Sequence, residues 1–291
     1  MKKILIIGST GFLGKSVIDW HKKNTDCKIT TASRSNGLDL SSLDGLAKKL
    51  SDLLGSDTDC IYHFAGSASQ PTLSDYYRTN TLLTTNLLEA LAEISYHGRI
   101  VIAGSAAEYG EAADEIPVKE TTQAQPKSHY GQAKLQATEA ALRLASEKNL
   151  DVVVARVFNF ISKYSRPNLA IGSFLKKINE AEKQGAITVD DLSARRDLLD
   201  EDDVAGAFYA LASKANRSQI YNVCSAESIS MSDVLSKMIK ASGKNLQVKL
   251  YTTENYQQTI KYSCGDNSKL KTDTGWKKVV SIDESIAKLF R

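Results

Sequence analysis

The chain has 291 residues, of which 42% are hydrophobic and 24% are charged, values that are typical of a globular protein with a sizeable core. A formal net charge of +3 is too small to indicate nucleic acid or an anionic membrane surface as a partner. The apolar run at residues 4–7 is too short for a signal peptide, and no run is long enough to cross a bilayer. We therefore expect a cytoplasmic protein.

The cysteines and histidines exclude the common metal sites. Four cysteines and four histidines are scattered along the chain without the spacing of metal ligands. Without an export signal, free thiols are expected rather than disulfides. The sequence predicts a protein that binds no metal.

Over the first 160 residues, short apolar segments alternate with helical patterns, which is typical of repeated βαβ units. The apolar residues are nearly continuous within each segment, as in parallel strands that are covered on both faces. The predicted strands are Lys3–Ile7, Lys28–Ala32, Cys60–Phe64, Arg99–Ala103 and Asp151–Arg156. Helices are predicted where apolar residues recur at helical spacing, namely at Leu83, Leu87, Leu91 and Ile94, and at Ala133, Ala137, Ala141 and Leu144.

After residue 160 the pattern changes. A polar loop at 162–167 precedes predicted helices at 171–184, 202–213, 230–242 and 282–290, with a strand at Gln219–Val223. We predict an α/β fold, in which residues 1–160 form a Rossmann-type doubly wound parallel sheet. Residues 161–291 are predicted to form a smaller mixed α/β, mainly substrate-binding region, some of whose segments return to the first domain.

A glycine-rich turn follows the first predicted strand and opens the first helix. Gly8 permits a tight turn, Gly11 lets the backbone approach a pyrophosphate, and Gly14 lets helix and strand pack closely. The amino terminus of the helix adds N–H donors and the positive end of a dipole. This context predicts a dinucleotide site, with a turn that binds nothing as the alternative. The candidate cofactor contacts in the turn are Gly8, Thr10, Gly11, Phe12, Leu13 and Gly14.

The end of the second strand indicates which dinucleotide is bound. NAD sites place a carboxylate there for the ribose hydroxyls, whereas this chain has Ser33 and Arg34. A guanidinium grips a 2′-phosphate with two hydrogen bonds, so NADP(H) is favoured and NAD(H) stays possible. The alternative is that Arg34 is an ordinary solvated charge. Asp39 and Leu40 are further candidate contacts, although Asp39 comes too late to be the usual ribose carboxylate.

Tyr130 and Lys134 lie four residues apart, a spacing that places them on one face of a helix beginning near Ser128. A nearby ammonium and an oxidised nicotinamide would lower the pKa of the phenol, which would make Tyr130 a proton donor to a carbonyl oxygen. Ser105, just after the fourth strand, can polarise the same oxygen. Alone, this spacing is more typical of an ordinary amphipathic helix. We interpret Glu108 as a solvated loop carboxylate, and His129 as structural or solvent-facing.

The chain resembles the extended short-chain dehydrogenases, the NAD-dependent epimerase/dehydratase superfamily. The resemblance rests on GSTGFLG at 8–14, HFAG at 63–66, SAAEYG at 105–110, YGQAK at 130–134 and RVFN at 156–159. Within that superfamily, ARRD at 194–197 and the later YNV and GDNSKL segments are most similar to the GDP-4-keto-6-deoxy-D-mannose reductases.

The resemblance implies further site residues. Phe64, Ala65 and Gly66 would contact the cofactor, as would Tyr130 and Lys134. Ser105 would meet the sugar of a nucleotide sugar, and Ser67 and Ser69 would meet the cofactor or the sugar. Asn159 and Arg196 would meet the diphosphate, with Arg195 as a weaker candidate. The alternatives are that Ser67 and Ser69 only form a turn, and that Arg196 only pairs with a nearby carboxylate such as Asp197. The resemblance, together with the apolar residues at helical spacing, predicts a homodimer that forms through the helices near 77–96 and 130–148.

Departures from the family pattern narrow the chemistry. Sugar dehydratases of the family place Asp-Glu where this chain has Ala106 and Ala107, so the resemblance implies carbonyl reduction rather than loss of water. Asp190 and Asp191 replace a Gly-Asn pair, and Tyr256 stands where the family has an arginine. Three functions follow: an NADPH-dependent reductase of a 4-keto-6-deoxy sugar nucleotide, a sugar-nucleotide epimerase with tightly bound NAD, or a non-enzymatic dinucleotide sensor.

Overall fold

The structure is a computed structural model, and it describes residues 1–55, 57–112, 115–251 and 260–291. Tyr256 lies outside the described residues. No helix within these ranges is both long and apolar enough to span a membrane. The four cysteines are all described, and their thiols are free.

Six parallel strands form the central sheet, in the order β2-β1-β3-β4-β5-β9. Their bounds are β1 Lys3–Ile7, β2 Lys28–Ala32, β3 Cys60–His63, β4 Arg99–Ser105, β5 Asp151–Val157 and β9 Gln219–Val223. The chain turns to opposite sides of β1 to build β2 and β3, which creates the crevice where open α/β sheets bind their ligands. The predicted Rossmann-type doubly wound fold is confirmed.

Helices cover both faces of this sheet. Alternate strand side chains explain the two layers, since Leu5 and Ile7 belong to one buried cluster and Ile4 and Ile6 to the other. The first cluster packs under α2 Leu46–Leu54, α4 Leu82–Glu93 and α5 His129–Glu147. The second packs under α1 Phe12–Asn24, α7 Glu201–Lys214 and α9 Ser268–Thr274. Segments of the chain after residue 160, namely β9, α7 and α9, thus return to the central sheet and complete its layers.

The helical stripes near residues 77–96 and 130–148 face this core. A short helix, α3 Leu73–Tyr76, joins α4 through a π-helical turn at Tyr77–Thr81. The stripe residues from Leu83 to Leu91 and from Ala133 to Leu144 are at most 7% exposed and pack inside the chain. They give no support to a dimer contact, and the homodimer stays a prediction.

The remaining chain forms a smaller mixed lobe. Its sheet combines β8 Arg195–Asp200 with β6 Asn159–Ile161, β10 Ser228–Ser230 and β12 Tyr262–Ser263. A separate parallel pair joins β7 Gln184–Val189 to β11 Asn245–Leu250. The helices of the lobe are α6 Ala170–Glu180, α8 Met231–Ala241 and α10 Ile282–Lys288.

The helix predicted over 171–184 is too long, since α6 ends at Glu180 and β7 follows. The strands β7, β8 and β11 were not predicted. β7 and β11 mix polar and apolar residues and are mostly exposed, and β8 begins with Arg-Arg-Asp, so none has the continuous buried apolar pattern of the central strands.

Candidate active site

A cavity of about 910 Å³ opens at the carboxyl ends of β1, β3, β4 and β5, facing the smaller lobe. Its walls include the glycine-rich turn, residues 64–69 after β3, residues 103–107 at the end of β4, and the loop at 165–169. Such a position and volume suit a site for two sizeable ligands.

The glycine-rich turn brings α1 against the sheet more closely than other residues allow. Gly8 has φ +85°, and a Cβ there would lie 2.6 Å from the main chain of Phe64 and Ala65. A Cβ on Gly14 would lie 2.5 Å from the Gly8 carbonyl oxygen. α1 has no side-chain cap and no acidic residue in its first turn, so its N–H groups face the cavity at Phe12, Leu13 and Gly14. These donors fit a pyrophosphate.

The residues after β2 lie beside the turn. Ser33 is buried and caps a 3₁₀ turn, with its Oγ 2.8 Å from Ser35 Oγ. Arg34 and Asp39 are exposed, and the backbone N–H of Ser41 holds the pKa of Asp39 below its usual value, with Arg34 adding a smaller effect. Leu40 is 3% exposed and belongs to the core. Of these candidates, Arg34 carries a positive charge, and none of the four lies among the residues that line the cavity. Thr10, in the turn itself, is exposed.

The structure brings Ser105, Tyr130 and Lys134 to one wall of the cavity. Ser128 caps α5 by accepting the Gly131 N–H at 3.1 Å, which confirms the predicted helix start. Ser105 is the last residue of β4 rather than the residue after it, and it lies close enough to Tyr130 to lower the pKa of its phenol. Lys134 Nζ donates to the Ala103 carbonyl oxygen at 2.5 Å.

Burial dominates the titration of this set. Removal from water raises the pKa of Tyr130 to about 12, against a smaller lowering by the hydrogen bond with Ser105. Burial also lowers the pKa of Lys134, and the Glu108 carboxylate opposes that effect. Burial thus holds this phenol protonated, and the lowering of its pKa that the sequence predicts for a site with an oxidised nicotinamide bound stays a prediction. A protonated phenol beside a cavity is suited to proton donation.

Glu108 is not a solvated loop carboxylate, and that interpretation is wrong. The residue is 0% exposed, and its Oε2 accepts from Arg156 Nε at 2.7 Å. Its Oε1 accepts the Ser105 backbone N–H at 2.8 Å. The sequence did not reveal this pair because its members lie 48 residues apart. His129, by contrast, is exposed as expected.

The residues after β3 line the cavity as a compact turn. Phe64, Ala65, Gly66, Ser67 and Ser69 all contribute to its wall. Ser67 Oγ donates to the Ser69 carbonyl oxygen at 3.0 Å, so the turn-forming role of these serines is present together with their exposure to the cavity. Asn80 also lines the cavity, although no sequence pattern indicated it. It lies in the π-helical turn, and its Nδ2 donates to the Ser67 carbonyl oxygen at 3.0 Å.

The smaller lobe supplies the other end of the cavity. Asn159 and Arg196 line it, whereas Arg195 donates through Nη2 to the Ser228 carbonyl oxygen at 2.8 Å and is not on the wall. Asp197 is fully buried and accepts the backbone N–H groups of Ser225 and Ala226, so it binds main chain rather than serving as a surface partner.

Three polar or charged residues at this end were not predicted from the sequence. Arg166 and Asn168 lie in the loop before α6, and Lys177 lies within α6. They join Asp190 and Asp191 on the cavity wall. The polar composition of 162–167 predicted a loop, but no spacing rule connects that loop with residues 190–196.

The comparisons with known proteins agree with this geometry. The model of the NAD dependent epimerase/dehydratase family matches residues 4–224. GDP-6-deoxy-D-mannose reductase of Pseudomonas aeruginosa is 28% identical over 246 residues, which cover 81% of this chain and 81% of that protein. The dTDP-6-deoxy-L-talose 4-dehydrogenase (NAD(P)(+)) of Kitasatospora kifunensis is 26% identical over 255 residues, covering 83% and 79%. The structure of RMD from Pseudomonas aeruginosa complexed with NADPH superposes with a TM-score of 0.86 at 24% identity, covering 100% and 98% of the two chains.

Proposed function

This chain belongs to the NAD dependent epimerase/dehydratase family and is an NAD(P)-dependent oxidoreductase, and we propose that it reduces the 4-keto group of a nucleotide-linked 4-keto-6-deoxy sugar with NADPH. We propose a GDP-linked substrate, whose reduction would give GDP-rhamnose or a related GDP-6-deoxy sugar. The relatives described above include a reductase of a GDP-linked sugar and a dehydrogenase of a dTDP-linked one.

One observation carries the proposal, namely which groups stand beside Ser105. Ala106 and Ala107 occupy the cavity wall next to the hydroxyl, so that wall has no carboxyl group there to remove water from a sugar. The carboxylate of the same turn, Glu108, is buried and paired with Arg156. A hydroxyl, a phenol and an ammonium remain, and carbonyl reduction needs no more from the protein.

The side chains divide the work of reduction. Ser105 donates a hydrogen bond to the carbonyl oxygen and fixes its position. Tyr130, protonated because of its burial, transfers its proton to that oxygen as negative charge develops on it. The Lys134 ammonium lies in the same wall and stabilises the phenolate left behind.

The cofactor site fits a dinucleotide, as the uncapped α1 amino terminus and the close approach at Gly8 and Gly14 indicate. The N–H groups of the turn would hold the pyrophosphate, and Arg34 would hold a 2′-phosphate, which favours NADP(H) over NAD(H). Lys134 and Tyr130 would contact the nicotinamide ribose. When bound, the reduced cofactor supplies the hydride to the carbonyl carbon.

The smaller lobe, which lies mostly within the predicted substrate-binding region 161–291, would bind most of the sugar nucleotide. Arg196 and Asn159 lie on the cavity wall with donors for a diphosphate, and Ser67 and Ser69 lie nearer the catalytic set, where the sugar would sit. Arg195 is the weaker candidate, because its guanidinium is bound to Ser228. A cytoplasmic homodimer is part of the proposal, and the mass of the purified protein in solution tests the dimer.

A panel of substrates tests the function. GDP-, dTDP-, CDP- and UDP-linked 4-keto-6-deoxy sugars are offered with NADPH and with NADH, and cofactor oxidation is followed by absorbance. We expect oxidation of NADPH with the GDP-linked sugar above all. Tightly bound NAD in the purified protein, with sugar epimers formed and no net oxidation, would instead establish the epimerase alternative. Dinucleotide binding without turnover of any sugar would favour the sensor.

A further inference from the structure

The turn that follows β4 holds Ser105 through a capping box. Ser105 Oγ accepts the Ala107 N–H at 3.2 Å, and Glu108 Oε1 accepts the Ser105 N–H at 2.8 Å. A hydroxyl that already accepts a hydrogen bond from the main chain keeps its own proton to donate. The capping box therefore fixes the main chain at Ser105 and leaves the hydroxyl proton available for a carbonyl oxygen in the cavity.

Glu108 differs from an ordinary capping-box glutamate, which lies in solvent. It is 0% exposed and is bound by Arg156, which is 4% exposed and lies with its guanidinium 4.5 Å from the centre of the Tyr109 ring. Tyr109 in turn donates to Asn222 Oδ1 at 2.7 Å. Burying such an ion pair costs desolvation that well-packed apolar residues would avoid. Stability alone is therefore a poor explanation for the pair.

The charge of Glu108 also acts on the catalytic wall. Lys134, on α5, donates to the Ala103 carbonyl oxygen of β4, and the charged neighbour that favours its ammonium is Glu108. His63, on the adjacent β3, is kept neutral because burial lowers its pKa to about 3. Glu108 and Tyr76, on α3, each raise the pKa of Tyr130, and Lys134 lies four residues after Tyr130 on α5.

We propose that Glu108 is a positioning residue of the Ser105–Tyr130–Lys134 site, which fixes the Ser105 hydroxyl through its main chain and supplies the buried negative charge that balances Lys134. Arg156 holds Glu108 in this place from β5. This inference rests on the proposed function only in the experiments that measure the effect of Glu108 by carbonyl reduction.

The test replaces Glu108 by glutamine, which keeps an acceptor for the Ser105 N–H but removes the charge. With the sugar nucleotide that the wild type reduces, we expect kcat to fall about tenfold or more, while KM and the Kd for NADPH change less than about threefold. The negative charge raises the pKa of both Lys134 and Tyr130, so its loss moves the alkaline limb of the kcat profile to lower pH, by about one unit. An unmoved limb overturns the proposal.

Two further variants separate positioning from folding. Glu108→Gln leaves the Arg156 charge buried without its partner, and we expect Tm to fall. The double variant Glu108→Gln with Arg156→Met removes both charges; it should recover Tm and keep the displaced alkaline limb. A double variant that recovers both shows a merely structural role. Glu120→Gln is the matched control, since Glu120 accepts the Asn222 N–H at the far end of the same network and should leave the limb in place.

A measurement made without substrate tests the role of Glu108 independently of the proposed function. The tyrosine rings are labelled at Cζ, and the Tyr130 resonance is assigned by its loss in Tyr130→Phe. The ionised fraction of the Tyr130 phenol is then measured by NMR at about pH 10.5 in the free protein. Glu108→Gln should increase that fraction. An unchanged fraction overturns the role of Glu108. A wild type that reduces no sugar of the panel, with the fraction still increased, overturns the proposed function alone.

Discussion

The two ends of the cavity are built in different ways. At the cofactor end, the glycine-rich turn and the Ser105–Tyr130–Lys134 set stand on neighbouring strands and helices of one parallel sheet, each motif being short in sequence. At the substrate end, β6, the loop at 165–169 and the segment from β7 to β8 converge from distant parts of the chain. Under the proposed function, local motifs supply the reacting groups, and long-range packing supplies the residues that would contact the substrate.

Electrostatics separates the two ends as well. The charges behind the catalytic wall are buried and paired, as in Glu108 with Arg156. The carboxylates at the substrate end, Asp190 and Asp191, are exposed, and Arg34 at the ribose position is exposed too. Solvent and salt screen exposed charges, so substitutions should have their largest effects at the catalytic wall and smaller effects toward the rims.

The largest effect is expected for Tyr130→Phe. Loss of the proton donor should reduce kcat about 10²–10⁴-fold, because general acid catalysis contributes in that range. Tyr76→Phe is the matched control, since the two rings lie 6.1 Å apart but the Tyr76 hydroxyl donates to the Ala68 carbonyl oxygen. Steady-state NADPH oxidation gives kcat, and fluorescence titration should show cofactor binding within about threefold of the wild type. Undiminished turnover by Tyr130→Phe would refute the mechanism.

At the substrate end, the two adjacent arginines should differ. Arg196→Ala should raise KM for the sugar nucleotide about 10–100-fold, the range for a lost charge-assisted hydrogen bond to a phosphate. Arg195→Ala should change KM less than about threefold, because its guanidinium binds Ser228 rather than the cavity. Initial rates over a range of substrate concentrations measure both. Equal effects from the two substitutions would show that the diphosphate lies elsewhere.

The sequence predicted the first domain well for a physical reason. β1, β2 and β9 have the predicted bounds, and the start of α5 was identified from Ser128. These elements are specified locally, by continuous apolar runs and by a cap. β7 and β11 are specified by their pairing with each other, across a separation that no periodicity reports.

The candidate site divides in the same manner. Ser105, Tyr130 and Lys134 were identified from short motifs and meet in one cavity. The burial that raises the pKa of Tyr130 and the buried pair of Glu108 with Arg156 both depend on packing between β4, β5 and α5. The sequence indicated neither, and Glu108 was interpreted as a solvated carboxylate. The sequence identified the catalytic residue types, but it did not predict how deeply their neighbours are buried.

At the ribose position, Arg34→Ala tests the choice of dinucleotide. KM for NADPH should rise about tenfold while KM for NADH stays unchanged, since NADH has no 2′-phosphate for the guanidinium to bind. Because Arg34 is exposed, the effect should shrink as salt is added. Arg143→Ala, an exposed arginine on α5, is the matched control. An equal rise in KM for both dinucleotides would contradict a 2′-phosphate contact.

The smallest effect is expected at the substrate rim, for Asp190→Asn. An exposed carboxylate on the cavity wall repels a diphosphate weakly, so its neutralisation should lower KM for the sugar nucleotide by about two- to threefold and lose its effect at high salt. Asp44→Asn, at an exposed site off the cavity wall, should leave KM unchanged. A several-fold increase in KM would mean that Asp190 accepts a hydrogen bond from the substrate. In that case the substrate end would select its ligand by contact, as the catalytic end does, and not by screened charge.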